Sequence, residues 1–240
     1  YLTVYGVLFA ATALFLTAVT VLPERLLRNQ VQHYYESALL GAFTLIEERL
    51  VNRPGSEWSG VLNDLKPQFE RGIELHELAQ LTLGDAHKQQ LVEGNMVFTE
   101  NGEQTRFFKR IAASERYLEI VLGPTPEQQL VADAQGIAYL IEARFLERDE
   151  ADWPKVAAAL DEKFGMPLAI VDIEDPSLAK IPAAVLQAGE LTVNGAGSNE
   201  ETYFKRIGSS NKVFVAGPLS LPLVLRYLDY LVLVLLALFI

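Results

Sequence analysis

The run Leu45-Ile46-Glu47-Glu48-Arg49-Leu50, followed by Arg53 and Trp58, returns 95 residues later as Leu140-Ile141-Glu142-Ala143-Arg144-Phe145, followed by Arg148 and Trp153. Working outward at the same offset, Gly41 pairs with Gly136, Leu65 with Leu160, Phe69 with Phe164, Leu91 with Leu186, Gly94 with Gly189 and Gly102 with Gly197. Positions 41–102 hold 14 identities over 62 positions, where average residue usage gives roughly 4. One inserted residue later, Phe108-Lys109-Arg110-Ile111 returns as Phe204-Lys205-Arg206-Ile207, and Gly123-Pro124 closes the first copy as Gly217-Pro218 closes the second. The order of landmarks never changes. The middle of the chain is a tandem duplication, with one module in residues 23–124 and its repeat in 125–222.

Each copy predicts the same elements. A helix carries LIEERL or LIEARF, and the second is introduced by Thr125 as N-cap, Pro126 at the first helical position and Gln128 at the third, a capping box with a preset φ. Val61, Leu65 and Phe69, like Val156, Leu160 and Phe164, are spaced i, i+4, i+8 and predict a second helix. An alternating strand follows, Ile73-Glu74-Leu75 or Leu168 to Val171, and then a short helix that Gly94 or Gly189 ends as a C′ residue. Three strand-like runs finish the copy, near Met96–Thr99, Thr105–Ile111 and Tyr117–Leu122 in the first, with Asn101-Gly102 as a hairpin turn signal. The fold class is therefore α+β with antiparallel sheets, two tandem modules that are PAS-like in element order.

The 240 residues are half hydrophobic and 21% charged, with a net charge of −11. No Asp, Glu, Lys or Arg occurs in residues 1–23 or 230–240, so the acidity sits entirely between two apolar ends. Residues 1–22 would span about 33 Å as a helix, enough for a bilayer core, and read as a transmembrane helix because the Met and basic region that open a secretory signal are missing and the apolar run is long. Residues 223–240 read as the start of a second transmembrane helix, truncated at Ile240. Arg226 and Asp229, three apart on one helical face, are expected at the headgroup boundary, since a charge at the bilayer centre costs about 2.5–3.5 kcal/mol on insertion scales. They serve either signalling or plain anchoring. Orientation cannot be taken from flanking Lys and Arg, because both outer flanks lie beyond the sequence.

The acidic middle argues against nucleic acid as a partner. Zero cysteines remove thiol nucleophiles, CxxC redox chemistry and Cys zinc sites. No catalytic motif is present, so neither catalytic residues nor a cofactor are expected in this chain. Asp172, Glu174 and Asp175 bunch after a strand and offer oxygen ligands for Ca²⁺ or Mg²⁺, although Asp-Pro-Ser is equally a turn signal. His33, His76 and His87 lack metal-ligand spacing, and each reads as a surface histidine or as a proton sensor. The two Lys-Arg pairs in FFKRI and YFKRI suit an anion or peptide contact, or an edge strand with snorkelling side chains. Trp58 and Trp153 are expected as equivalent buried anchors.

No proline interrupts residues 25–53, and Val31, Tyr34, Ala38, Gly41 and Leu45 follow 3-4 spacing. That is a seam suited to a homodimer. A second stripe, Tyr35, Leu39, Ala42, Ile46 and Leu50, lies on the neighbouring face. One stripe then packs on the sheet and the other on a second subunit, or both form one wide stripe buried in the monomer.

The ordered series Trp58, Leu65, Phe69, Gly94, FFKRI, Ser114 and the closing LGP resembles the periplasmic sensor region of RstB-type two-component sensor histidine kinases, best over residues 38–124 and more weakly over 136–218. The resemblance implies a bacterial inner-membrane protein with residues 23–222 in the periplasm. It also implies a HAMP linker and a dimeric cytoplasmic kinase downstream, with a response regulator as partner. This chain departs from the family in holding two modules, and it carries no phosphoacceptor-histidine or ATP-binding motif. Two other functions fit the same plan: a membrane-anchored binding or scaffold protein without enzymatic output, and the sensor region of a cyclase or chemoreceptor. The stimulus is not legible in the residues.

Overall fold

A computed structural model describes residues 38–69, 72–101, 104–122, 126–195 and 200–220. Within them the order in the first copy is α1 (38–51), α2 (Trp58–Leu65), β1 (Ile73–Glu77), α3 (Asp85–Val92), β2 (Val97–Asn101), β3 (Gln104–Arg110) and β4 (Arg116–Leu122). The second copy repeats it as α4 (Pro126–Leu146), α5 (Trp153–Phe164), β5 (Leu168–Asp172), α6 (Ala183–Ala188), β6 (Thr192–Asn194), β7 (Glu200–Arg206) and β8 (Lys212–Ser220). The protein is α+β, with one antiparallel four-stranded sheet per copy. The orders are β1-β4-β3-β2 and β5-β8-β7-β6. In both, a three-strand meander receives the early strand beside its last one.

Local chemistry accounts for the breaks. Pro54 follows Arg53 and cannot continue α1. Pro67 likewise turns the end of α2 into a 3-10 turn, Lys66–Gln68, whereas α5 runs unbroken to Phe164 and stops at Gly165 with φ +59°. Gly94 and Gly189 both have positive φ, at +91° and +72°, as their C′ placement requires. Thr125 lies outside the described residues, but α4 does start at Pro126.

Central strand β4 is buried along both faces from Tyr117 to Ile120. On one face its neighbours Ile73 and Phe107 are buried. The other face carries a cluster of Leu81, Leu91, Val97, Phe108 and Tyr117. The matching cluster in the second copy is Leu178, Leu186, Phe204 and Val213.

The two copies belong to one compact unit, Ser37–Pro218, and they lock together reciprocally. A methyl added at Gly41 would run into the ring of Phe164, and one at Gly136 would sit 2.7 Å from the ring of Phe69. Glycine on each long helix thus makes room for a phenylalanine of the other copy. Charges cross the same boundary: Glu48 pairs with Arg144 at 3.3 Å and with Lys163, and Arg49 approaches Glu147 at 3.8 Å.

That packing corrects the seam. Ala38, Gly41 and Leu45 are buried within the chain, as are Leu39, Ala42, Ile46 and Leu50. Both stripes make one wide buried face, and the small Gly41 admits Phe164 of the same chain. Val31, Tyr34 and Tyr35 lie outside the described residues.

Candidate functional site

The sheet register of the first copy builds a polar group on the face that also carries Phe108 and Tyr117. Glu74 and His76 are two apart on β1, so they share a face. Glu74 lies directly opposite Glu119 on β4, and His76 opposite Tyr117. The Nε2 of His76 donates to Glu119 Oε2 at 2.6 Å and stands 3.8 Å from Glu74 Oε2. Arg106 of β3 brings a guanidinium nitrogen to 3.3 Å from Glu119 Oε1. Exposure grades across the group, with side-chain values of 58% for Glu74, 21% for His76 and 6% for Glu119. Glu119 Oε1 and Arg106 Nε are buried without a hydrogen-bond partner, because the nearby guanidinium is close but not aligned to donate.

The duplicated scaffold shows that the fold does not require this chemistry. The register places Ala169 and Val171 on β5 where the first copy has Glu74 and His76. Val215 stands in place of Glu119, and Thr202 takes the position of Arg106. Val171 and Val215 pack against the apolar cluster of their copy. Burying an ionised carboxylate costs several kcal/mol unless partners compensate, so Glu119 is an expensive residue where valine suffices.

His76, which the sequence offers as a surface histidine or a proton sensor, is half buried and bonded to Glu119. Glu119 was missed altogether. Its signal was present in the sequence as a lone acid inside Tyr117-Leu118-Glu119-Ile120-Val121-Leu122, a continuous apolar run of the kind that marks a strand buried on both faces. His87 is exposed, and His33 lies outside the described residues.

The other candidates have structural duties. Asp172 accepts from Lys212 Nζ at 2.7 Å, which raises the Lys212 ammonium above its ordinary pKa. Asp175 accepts from the backbone and hydroxyl of Ser177 at 2.8 and 2.6 Å. These two bonds, the hydroxyl's first, hold its carboxyl below the ordinary range. Asp175 therefore caps the 3-10 turn Pro176–Leu178, and with Asp172 and Glu174 it gathers no ligand set. Among the described residues, the group whose ligand atoms do gather, all within 4.8 Å of one another, is Glu74, His76 and Glu119.

The Lys-Arg pairs are also accounted for, and the strands that carry them are interior rather than edge strands. Lys109 pairs with Glu47 at 2.9 Å and Lys205 with Glu142 at 3.1 Å. Arg110 donates to the carbonyls of Val92 and Ser114, and Arg206 to those of Gln187 and Ser210. Each arginine thus ties the C-terminal end of its short helix to its β-turn, where a cation also meets the negative end of the helix dipole.

A cleft of about 390 Å³ lies between α1, α2 and α4, lined among others by Arg49, Arg53, Asp64, Tyr139, Arg144 and Glu147. Its charges are largely spent on one another: Arg49 with Glu147, Arg53 with Glu57 at 3.7 Å, and Arg144 with Glu48 and Glu147.

Trp153 is buried, donates to the carbonyl of Phe145 at 2.8 Å, and meets the Phe145 ring edge-on at 5.9 Å. Trp58 is only half buried and donates to Arg53 O at 3.1 Å. Its anchor role is weaker because Leu50 stands where the second copy has Phe145. Arg226 and Asp229 lie outside the described residues, as do both apolar ends. Among the described residues no helix is long and apolar enough to cross a membrane. No family model, curated protein or solved structure matches the chain.

Proposed function

We propose that the chain is the extracytoplasmic sensor region of a membrane-bound bacterial signalling receptor, of the two-component sensor histidine kinase type. In this reading two PAS-like modules stand between apolar segments 1–22 and 223–240, which cross the inner membrane. The observation that carries it is chemical asymmetry on a shared scaffold. The first copy keeps a Glu119–His76 pair, its carboxylate buried, where the second keeps valines, so the first receives the stimulus and the second relays it. The reciprocal Gly41–Phe164 and Gly136–Phe69 packing supplies the mechanical link, because close-packed interfaces shift between discrete arrangements rather than deform smoothly. A signal then moves the second apolar segment relative to the first, and Arg226 with Asp229 sets its depth. Dimerisation falls to Val31 and Tyr34, the part of the sequence seam that precedes Ala38. A kinase outside this chain acts in turn on the response regulator.

The test uses the absence of cysteine. In bacterial cells, Ser59→Cys and Ala158→Cys, both at exposed positions, should react with a membrane-impermeant maleimide without lysis. Labelling only after lysis would overturn the extracytoplasmic placement. In a chimera with a kinase downstream of Ile240, Glu119→Val should change basal phosphoryl output. Output indifferent to substitutions in both copies would leave an anchored scaffold.

A further inference from the structure

We infer that Glu74, His76 and Glu119 form a binding site for a divalent transition cation of the Zn²⁺ type. This deepens the sensor reading, and rests on it only for its biological use. The donor set is one imidazole nitrogen and two carboxylate oxygens, a combination that suits zinc and its neighbours rather than Mg²⁺ or Ca²⁺, which favour all-oxygen shells.

Three observations point to a ligand. Glu74 and Glu119 face each other directly across the β1–β4 ladder, and like charges in that position repel unless something positive lies between them. Glu119 is more than nine-tenths buried and turns its Oε2 to the imidazole of His76 at 2.6 Å. The second copy replaces all three donors with Ala169, Val171 and Val215 while keeping the same strand order, so the set is not a folding requirement.

The geometry needs only small adjustments. Ligand atoms around tetrahedral zinc stand roughly 3.3–3.4 Å apart, given bonds of about 2.0–2.1 Å. The His76–Glu119 pair, at 2.6 Å, must open, and the His76–Glu74 pair, at 3.8 Å, must close slightly. Exposed Glu74 can swing, and its open side leaves room for water as a further ligand. Arg106, 3.3 Å from the oxygen of Glu119 that does not face His76, braces and orients that carboxylate, the usual task of a group behind a metal ligand. Two carboxylates stand against one guanidinium in the group, so a divalent cation would be drawn to the acidic side.

The experiment titrates ZnCl₂ into the full chain in detergent by calorimetry, with CaCl₂ and MgCl₂ alongside, and records thermal stability in parallel. One Zn²⁺ should bind per chain and raise the unfolding temperature. The triple variant Glu74→Ala, His76→Val, Glu119→Val carries the residues of the second copy and should fold by that precedent, as circular dichroism will verify. His76→Gln is the milder variant. Either should weaken Zn²⁺ by more than the ten- to hundredfold that loss of an outer-shell partner costs, about. No Zn²⁺ binding, binding unchanged in His76→Gln, or stoichiometric Ca²⁺ or Mg²⁺ binding in place of Zn²⁺ would overturn the site. None of those results touches the maleimide test, so the sensor reading stands or falls separately.

Discussion

The two copies share an order of elements and a sheet order, yet they differ in what they bury. In the first, the sheet face toward α3 includes two carboxylates, an imidazole and a guanidinium; in the second, the corresponding positions toward α6 are alanine, valine, valine and threonine. The second copy is also the better knit. Its Trp153 is buried against Phe145, α5 runs unbroken to Phe164, and Lys205 is buried between Glu142 and the carbonyl of Gly189 at 2.6 Å. The first copy ends α2 at Leu65, ahead of the 3-10 turn that holds Pro67, and leaves Trp58 half buried. Duplication thus separates two demands that one module must otherwise reconcile, polar chemistry in one copy and tight packing in the other.

The largest expected effect tests that contrast at its tryptophans. Trp153→Ala should cost about 3–5 kcal/mol, the usual range for a buried aromatic, because it removes the ring contact with Phe145 and a buried hydrogen bond. Trp58→Ala should cost about 1–2 kcal/mol, for a partly exposed ring and one hydrogen bond. Urea unfolding of both variants measures the difference, and equal costs would erase the asymmetry.

A middle-sized effect tests what the copies do for each other. Gly41→Ala should destabilise by about 1–3 kcal/mol, as overpacking does, because the added methyl meets the Phe164 ring. Phe164→Leu should recover part of that loss in the double variant, giving a favourable coupling energy. Additive costs would mean that the helix and the ring do not meet. Gly136→Ala with Phe69→Leu is the mirrored cycle and should behave alike.

Much of this architecture was legible in the sequence, because it rests on local signals. The repeat came from residue identities, the helix ends from Gly94, Gly189 and the prolines, and the meander from short β-rich runs around Asn101-Gly102. The partner of the α1 stripe was not legible, since amphipathic spacing names a buried face without naming what covers it. Ala38, Gly41 and Leu45 suit a second subunit as well as a second copy. The Glu74–His76–Glu119 group was hidden for a related reason. Glu74-Leu75-His76 alternates as an ordinary half-exposed strand does, and only the β1–β4 register brings Glu119 beside it. Lys109 and Arg110 misled in the opposite direction, looking like exposed cations until Glu47 and the carbonyl of Val92 were found opposite them.

The smallest expected effect has the opposite sign and concerns a turn the copies share. In each copy the residue after the strand's isoleucine presents its backbone N–H to a glutamate of the long helix: Ala112 to Glu47 at 2.6 Å and Gly208 to Glu142 at 2.9 Å. Both residues are left-handed, with φ of +43° and +53°. The second copy uses glycine there, which adopts that conformation without steric cost, whereas an L-residue loses roughly 1–2 kcal/mol. Against that gain stands the larger chain entropy glycine gives up on folding, about 0.5–1 kcal/mol. Ala112→Gly should therefore stabilise the first copy by about 0.5–1 kcal/mol. The reverse change, Gly208→Ala, should destabilise by more than this, because its new methyl would stand 3.0 Å from a Leu146 methyl as well as in a strained conformation. The Glu47 bond must survive for the gain to appear, and Glu47→Gln as a background checks it. Denaturant midpoints on all three variants decide the matter, and a loss of stability in Ala112→Gly would show that this turn is not held as its counterpart is.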